Sequence, residues 1–423
     1  MRELKAVVIG AGSTYTPELI EGFIDRRDSL NFQTFYLVDI NREKLKIVGA
    51  LAERMLRSKG FKGSIVMTDD LDSAITGADY IFGQIRVGEM AARIRDEKIP
   101  LKYGLLGQET TGAGGFMNAL RTVPVMLDIA RRIEKLAPDA WLINFSNPSG
   151  IVAEALLNHT KVKMIGLCNS FVNMSARIAK TIGTKDFDYD YVGLNHLGWV
   201  TSIRANGKDL LAGPVNEEMK NLLGAAYEDD LLAALPAIAS SYLNYFYLRD
   251  EQLQKCLKAE KTRGEVCVDL EASLMEQYKN PDLSVKPKEL AQRGGALYST
   301  AAVSVVDAIE NDKNEYHVVN VKNSGALPFL EDDDVIEAKC LVNRRGAAPV
   351  PIGKLDSPYI KGMIQAVKAY EKLTVRAAVN SSRTDALAAL MIHPLIGDYR
   401  KARDVLDEML KANADFVSAK LLP

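Results

Sequence analysis

The sequence predicts an α/β protein, with a doubly wound parallel sheet first and a mixed α+β, mainly helical part after it. Three observations carry that expectation. Short apolar runs alternate with helical patterns from residue 4 to about residue 182. The runs end in glycine, asparagine, aspartate or cysteine, as buried parallel strands do where they deliver side chains to the mouth of the sheet. Beyond about residue 185 the alternation stops and acidic and aromatic residues appear (Asp186, Asp188, Tyr189, Asp190, Tyr191). We therefore divide the chain into 1–185 and 186–423.

The first strand, Leu4 to Ile9, runs into Gly10-Ala11-Gly12-Ser13-Thr14. A helix follows, with Thr16 expected as N-cap and Pro17 at its first position. Strand, glycine turn and helix in this order let backbone approach a pyrophosphate at the helix N-terminus. The arrangement is Rossmann-like, although Tyr15 stands where a third glycine is usual. Gly10, Gly12, Ser13 and Thr14 are the candidate contacts. The next strand, Thr34 to Val38, ends at Asp39. A carboxylate there accepts from ribose hydroxyls and repels a 2′-phosphate, which favours NAD over NADP. The alternative is a cap for the helix at Asn41. Helix 41–58 carries an apolar stripe at Leu45, Val48, Leu51, Ala52 and Met55. Two more strands follow at 65–67 and 80–83, joined by a short helix after Asp70. Arg86 and Gly88 then lie in a loop that would face the dinucleotide.

Arg93, Arg95, Asp96, Glu97 and Lys98 precede Pro100 and read either as an anion site or as a solvated helix face. Gly107-Gln108-Glu109-Thr110-Thr111-Gly112-Ala113-Gly114-Gly115 reads as a loop passing close to a ligand. A helix is predicted over 117–136, then a strand ending at Asn144-Phe145-Ser146-Asn147. The following strand delivers Cys168 and Asn169 ahead of helix 170–182, and Asn195-His196 lie downstream. Thiolate and imidazole together suit a soft to borderline divalent metal. The plain alternative is a buried free cysteine and a core histidine. Tyr242, Tyr245 and Tyr247 crowd one short stretch. A tyrosine becomes a general base when a nearby cation lowers its pKa; otherwise such residues build core. Arg263 is a further anion contact. Gly294-Gly295 precede an Ala/Val-rich helix, His317 lies in an alternating strand, and Asp332-Asp333-Asp334 read as a helix start.

A net charge of −2 points to no nucleic-acid or membrane-surface partner. No apolar run reaches the ~20 residues of a membrane helix. Cysteines 168, 256, 267 and 340 form no CxxC pair, and no signal-like run follows Met1. A cytoplasmic protein is expected, as a homodimer or homotetramer.

Gly10-Ala11-Gly12-Ser13, Tyr15-Thr16-Pro17-Glu18-Leu19, Gly107 to Gly112, Asn144 to Ser149, Cys168-Asn169 and Gly193-Leu194-Asn195-His196 together resemble glycoside hydrolase family 4. More narrowly they resemble its 6-phospho-β-glucosidases. The likeness runs from residue 4 to about residue 340, and more loosely to the C-terminus. It implies an NAD-dependent departure from two-carboxylate glycosidase chemistry. NAD⁺ takes hydride from sugar C3, and the ketone acidifies the C2 proton. A base removes that proton, the C1 leaving group departs, water adds, and NADH returns the hydride. The resemblance further implies Mn²⁺ held by Cys168 and His196. It implies Tyr242 as the C2 base, with Tyr245 as the alternative, and Glu109 as its support. Arg93, Asn147, Asn169 and Arg263 match substrate contacts, and Asn144 and Arg86 cofactor contacts. Relatives that cleave α-linked substrates tend to carry aspartate where Asn169 stands. The expected substrates are therefore β-linked, such as cellobiose 6-phosphate or aryl β-glucoside 6-phosphates. The competing readings are a 6-phospho-α-glucosidase or α-galactosidase of the same family, a hydroxy-acid dehydrogenase of lactate/malate type, and a non-catalytic NAD or sugar-phosphate binder.

Overall fold

The structure, a computed structural model, describes residues 1–213, 216–223, 227–293 and 298–423; Gly294-Gly295 lie outside them. The first part alternates as the apolar runs predict. Its elements are β1 (Leu4–Ile9), α1 (Thr16–Asp25), β2 (Phe32–Val38), α2 (Arg42–Ser58), β3 (Ser64–Thr68), α3 (Leu71–Ile75) and β4 (Tyr80–Gly83). After these come α4 (Glu89–Leu101), α5 (Gly112–Leu136), β5 (Trp141–Asn144), α6 (Ser149–His159), β6 (Lys163–Gly166) and α7 (Ser170–Ile182). The six strands pair in parallel in the order β3-β2-β1-β4-β5-β6. Val7, Val8, Ile81, Phe82, Leu142 and Ile143 are fully buried in it. Each such side chain contributes about 1.5–3 kcal/mol by leaving water. The chain order reverses between β1 and β4, so the carboxyl ends of these strands open a crevice.

The second part begins with the hairpin β7 (Asp188–Leu194) and β8 (Leu197–Ala205), which forms a small sheet with β9 (Lys208–Asp209) and β10 (Ile238–Ala239). Helices α8 (Glu217–Leu223), α9 (Asp229–Ala234), α10 (Asn244–Tyr247), α11 (Arg249–Lys258), α12 (Arg263–Tyr278) and α13 (Tyr298–Glu310) surround it in the chain. The last strands are β11 (Glu315–Lys322), β12 (Val335–Asn343) and β13 (Gly346–Pro349). They return antiparallel to the edge at β6 and extend the first sheet to nine strands. Helices α14 (Pro358–Asn380), α15 (Arg383–Ile392) and α16 (Tyr399–Ala412) close the chain. Among the described residues no helix is long and apolar enough to cross a membrane.

Three local expectations change. Thr16 does not cap α1; its hydroxyl donates to the Ala11 carbonyl at 2.9 Å and accepts from Gln84 Nε2 at 2.8 Å. The helix expected over 117–136 starts at Gly112. A Cβ on Gly107 would lie 1.8 Å from the Glu97 carbonyl oxygen, and one on Gly114 2.2 Å from that of Gln108. These glycines admit protein backbone, not a ligand. Asp332 to Asp334 start no helix; they form the turn before β12, where Asp334 pairs with Lys372 at 2.8 Å.

Candidate active site

A cavity of about 1300 Å³ opens where the carboxyl ends of β1, β2 and β4 meet. Its first wall is the glycine turn. Gly10 sits at φ +87, and a Cβ there would lie 2.7 Å from the Gln84 carbonyl oxygen. A Cβ on Gly12 would lie 2.8 Å from Asp39 Oδ2, the atom that accepts the Gly12 N–H at 2.8 Å. Asp39 Oδ1 accepts the Asn41 N–H, while Asn41 itself caps α2 through Lys44 N. Asp39 therefore ties the glycine turn to the end of β2, and both it and Ile40 face the cavity. Ser13 and Thr14 line the same wall, at the N-terminus of α1, where backbone N–H groups favour an anion.

The opposite wall is cationic with one carboxylate at its centre. Glu109 accepts from Arg86 at 2.7 Å through one oxygen and meets Arg93 at 3.0 Å through the other. Burial works to raise the Glu109 pKa, but the two guanidinium groups overcome it and hold the carboxyl at about 2. Arg93 is buried, so the solvated-face reading fails for it. Its Nε also donates to Glu97, whose second oxygen accepts the Gly264 N–H at 2.6 Å. That bond fixes the first turn of α12 beside α4. Thr262 caps α12 in a reciprocal box with Glu265 and presents Arg263 to the cavity. Arg293 also lines the cavity, paired with Glu271 at 2.5 Å and lying over the Tyr15 ring at 5.3 Å.

Asn147, Asn169 and Tyr242 line the inner end. Tyr242 sits on a single helical turn, Ser241–Leu243, and stacks on His196 with ring centroids 4.0 Å apart. Its pKa is raised, by burial first and then by the Cys168 and Glu109 charges. The other tyrosines turn elsewhere. Tyr245 bonds with Gln108, and Tyr247 accepts from Trp199 Nε1 at 2.7 Å.

Cys168 and His196 adjoin the cavity through Asn169 and Tyr242. Both are buried. His196 turns β7 into β8 at φ +63, a left-handed conformation uncommon for a non-glycine residue and concentrated at functional sites. Burial lowers its pKa to about 4, so the imidazole is neutral, and its buried Nδ1 has no hydrogen-bond partner. Burial pushes the Cys168 thiol up to about 12, aided by Glu337 and opposed by bonds from Ser170 and Asn195. The Ser170 N–H lies 3.4 Å from the sulfur and its hydroxyl 3.1 Å. A neutral imidazole and a sulfur with donors already aimed at it suit a divalent cation, which would favour the thiolate.

The cavity thus gathers Gly10, Gly12, Ser13, Thr14, Asp39, Arg86, Arg93, Glu109, Asn147, Asn169, Tyr242 and Arg263 from the sequence expectations. Asn144 stands apart: it is fully buried, and its amide exchanges two bonds with the backbone of Ser146. Gln108, in the loop expected to pass close to a ligand, also lines the cavity, whereas sequence reasoning missed Asn118 and Arg293, which line it too. Arg293 stands beside two glycines, a pattern that any surface loop shares.

Two family models match the chain: family 4 glycosyl hydrolase over residues 5–184, and the family 4 glycosyl hydrolase C-terminal domain over residues 191–396. A probable 6-phospho-β-glucosidase of Bacillus subtilis is 42% identical, covering 98% of this chain and 97% of the relative. A 6-phospho-β-glucosidase of Escherichia coli is 39% identical over 97% of this chain and 96% of the relative. A solved structure of the Thermotoga maritima 6-phospho-β-glucosidase with manganese, NAD⁺ and glucose-6-phosphate superposes with a TM-score of 0.90. It is 34% identical, covering 98% of this chain and 99% of that one.

Proposed function

Since the chain belongs to the family 4 glycosyl hydrolases, we propose that it hydrolyses β-glucoside 6-phosphates with NAD and Mn²⁺ as resident cofactors. One observation carries this reading. A single cavity joins the Asp39-locked glycine turn to Tyr242, itself stacked on His196. Its volume exceeds the ~300–1,000 Å³ of common small-ligand pockets, which suits a dinucleotide beside a sugar phosphate.

When bound, NAD would supply a hydride acceptor, and the cation would supply Lewis acidity toward the sugar. The chain's residues do the rest. Gly10 and Gly12 leave room for the pyrophosphate to approach the N-terminus of α1, where Ser13 and Thr14 border it, and Asp39 accepts from the ribose. Arg86 borders the cofactor and, with Arg93, fixes Glu109. Asn144 shapes the β5 end of the crevice through Ser146. Cys168 and His196 would hold the cation.

Tyr242 removes the C2 proton, and a cation held beside it by Cys168 and His196 would offset the burial that raises its pKa. Its support is its place in the cavity wall, which Tyr245 lacks, and the nearby cation ligands. Arg263 binds the 6-phosphate, and Arg293 is a second cation on that wall. Arg93, Asn147 and Asn169 orient the sugar. Asn169 carries an amide, which cannot protonate a leaving group, and so favours β-linked substrates such as cellobiose 6-phosphate. Free Cys168, Cys256, Cys267 and Cys340 suit a cytoplasmic enzyme, and a homodimer or homotetramer completes the proposal.

The test is p-nitrophenol release from p-nitrophenyl β-glucoside 6-phosphate, with NAD⁺, Mn²⁺ and thiol reductant omitted one at a time. Loss of turnover without NAD⁺ or Mn²⁺, with no NADH accumulating, is expected. Turnover indifferent to NAD⁺ would overturn the mechanism. Turnover of the α-anomer alone would overturn the role of Asn169.

A further inference from the structure

Asn195 precedes His196 in the β7–β8 turn, and every polar atom of its amide is engaged. Its Oδ1 accepts the Gly150 N–H at 3.3 Å, and its Nδ2 donates to Glu337 Oε1 at 3.0 Å and to the Cys168 sulfur. Glu337 lies on β12, far along the chain, and is 2% exposed. Its other oxygen accepts the Tyr191 hydroxyl at 2.5 Å. Hydrogen-bond donors, not a cation, surround this carboxylate. Both of its oxygens are thus held by donors from β7 and the β7–β8 turn, which fixes the carboxyl group behind Asn195. The turn is also packed from below. A Cβ on Gly150 would lie 2.9 Å from the Asn195 Cβ. The left-handed His196 backbone is held in that packed turn.

We propose that Asn195 and Glu337 are positioning residues for the Cys168–His196 pair. Glu337 fixes the Asn195 amide, and the amide holds both the sulfur and the turn that carries the imidazole. The inference rests on the reading of Cys168 and His196 as cation ligands. Outer partners of metal ligands set ligand orientation, and their loss weakens metal binding about 10–100-fold.

The test measures Mn²⁺ affinity by electron paramagnetic resonance of the free ion, with no sugar present. NAD⁺ affinity and the unfolding midpoint are measured in parallel. Asn195→Ala and Glu337→Gln are each expected to weaken Mn²⁺ binding about 10–100-fold and to leave NAD⁺ affinity unchanged. A merely structural role would lower the unfolding midpoint without that selective loss. Glu337→Gln keeps the side-chain shape and carries the test if Asn195→Ala does not fold. Unchanged Mn²⁺ affinity in these variants, where Cys168→Ser weakens it, overturns the inference and leaves the metal reading standing. Unchanged affinity in Cys168→Ser and His196→Ala overturns both.

Discussion

Glu109 divides one carboxylate between two guanidinium groups, at 2.7 Å to Arg86 and 3.0 Å to Arg93. Replacing it leaves Arg86 without this carboxylate and Arg93 with Glu97 alone. Glu109→Gln is expected to cost about 2–4 kcal/mol in urea unfolding and to depress turnover. The pH dependence follows from the direction of its shift. Its folded pKa, about 2, lies below the ordinary carboxyl value. The stability it contributes is therefore full above that ordinary value and lost as pH falls through about 2. Acid unfolding of Glu109→Gln should be shallower across that window; an unchanged slope would contradict the clamp. Cys168→Ser should lose turnover by more than about a hundredfold while NAD⁺ binding persists. Fluorescence titration alongside a rate assay separates the two. Cys168, His196 and Asp39 were legible in the sequence because each ends a strand or turn with an unusual chemical type. The Glu109 clamp was not, because its arginines come from different elements and their meeting is tertiary.

At the scale of elements, the start of α5 decides where Gln108 and Glu109 stand. His393, fully buried before α16, accepts the Gly112 N–H at 3.2 Å, and Tyr370 of α14 donates to the Gly112 carbonyl at 3.0 Å. Burial lowers the His393 pKa to about 3, so this anchor stays neutral and able to accept. His393→Ala should destabilise the protein by about 2 kcal/mol. It should also lower kcat/KM through the loosened 107–111 loop, without changing NAD⁺ affinity. Equal loss of NAD⁺ affinity would show that the whole cavity had collapsed. The sequence pattern misplaced this helix start because glycine-rich stretches read as loops. Here the glycines are needed for close backbone packing inside the first helical turn. The β1–α1 turn was legible, and it bears its own expectation. The Asp39 carboxylate at the cavity wall would repel a 2′-phosphate, so activity should be supported by NAD⁺ and not by NADP⁺. Equal support by both would contradict that role.

For the whole molecule, the alternating first part was readable from local periodicity, down to six strands in a doubly wound order. The return of β11, β12 and β13 to that sheet was not. An alternating pattern such as Tyr316 to Val321 announces a strand but not its partner, and pairing over so many residues leaves no local trace. Yet this return brings Glu337 behind Cys168 and Asn195, so the second part of the chain completes a site that the first part begins. The central claim is that this site cleaves its substrate by taking a proton from C2 rather than by direct displacement at C1. The most direct measurement is hydrolysis of p-nitrophenyl β-glucoside 6-phosphate in D₂O, followed by mass and NMR analysis of the glucose 6-phosphate formed. Removal and return of the C2 proton predicts carbon-bound deuterium at C2. Product with no carbon-bound deuterium, formed at full rate, would contradict the mechanism.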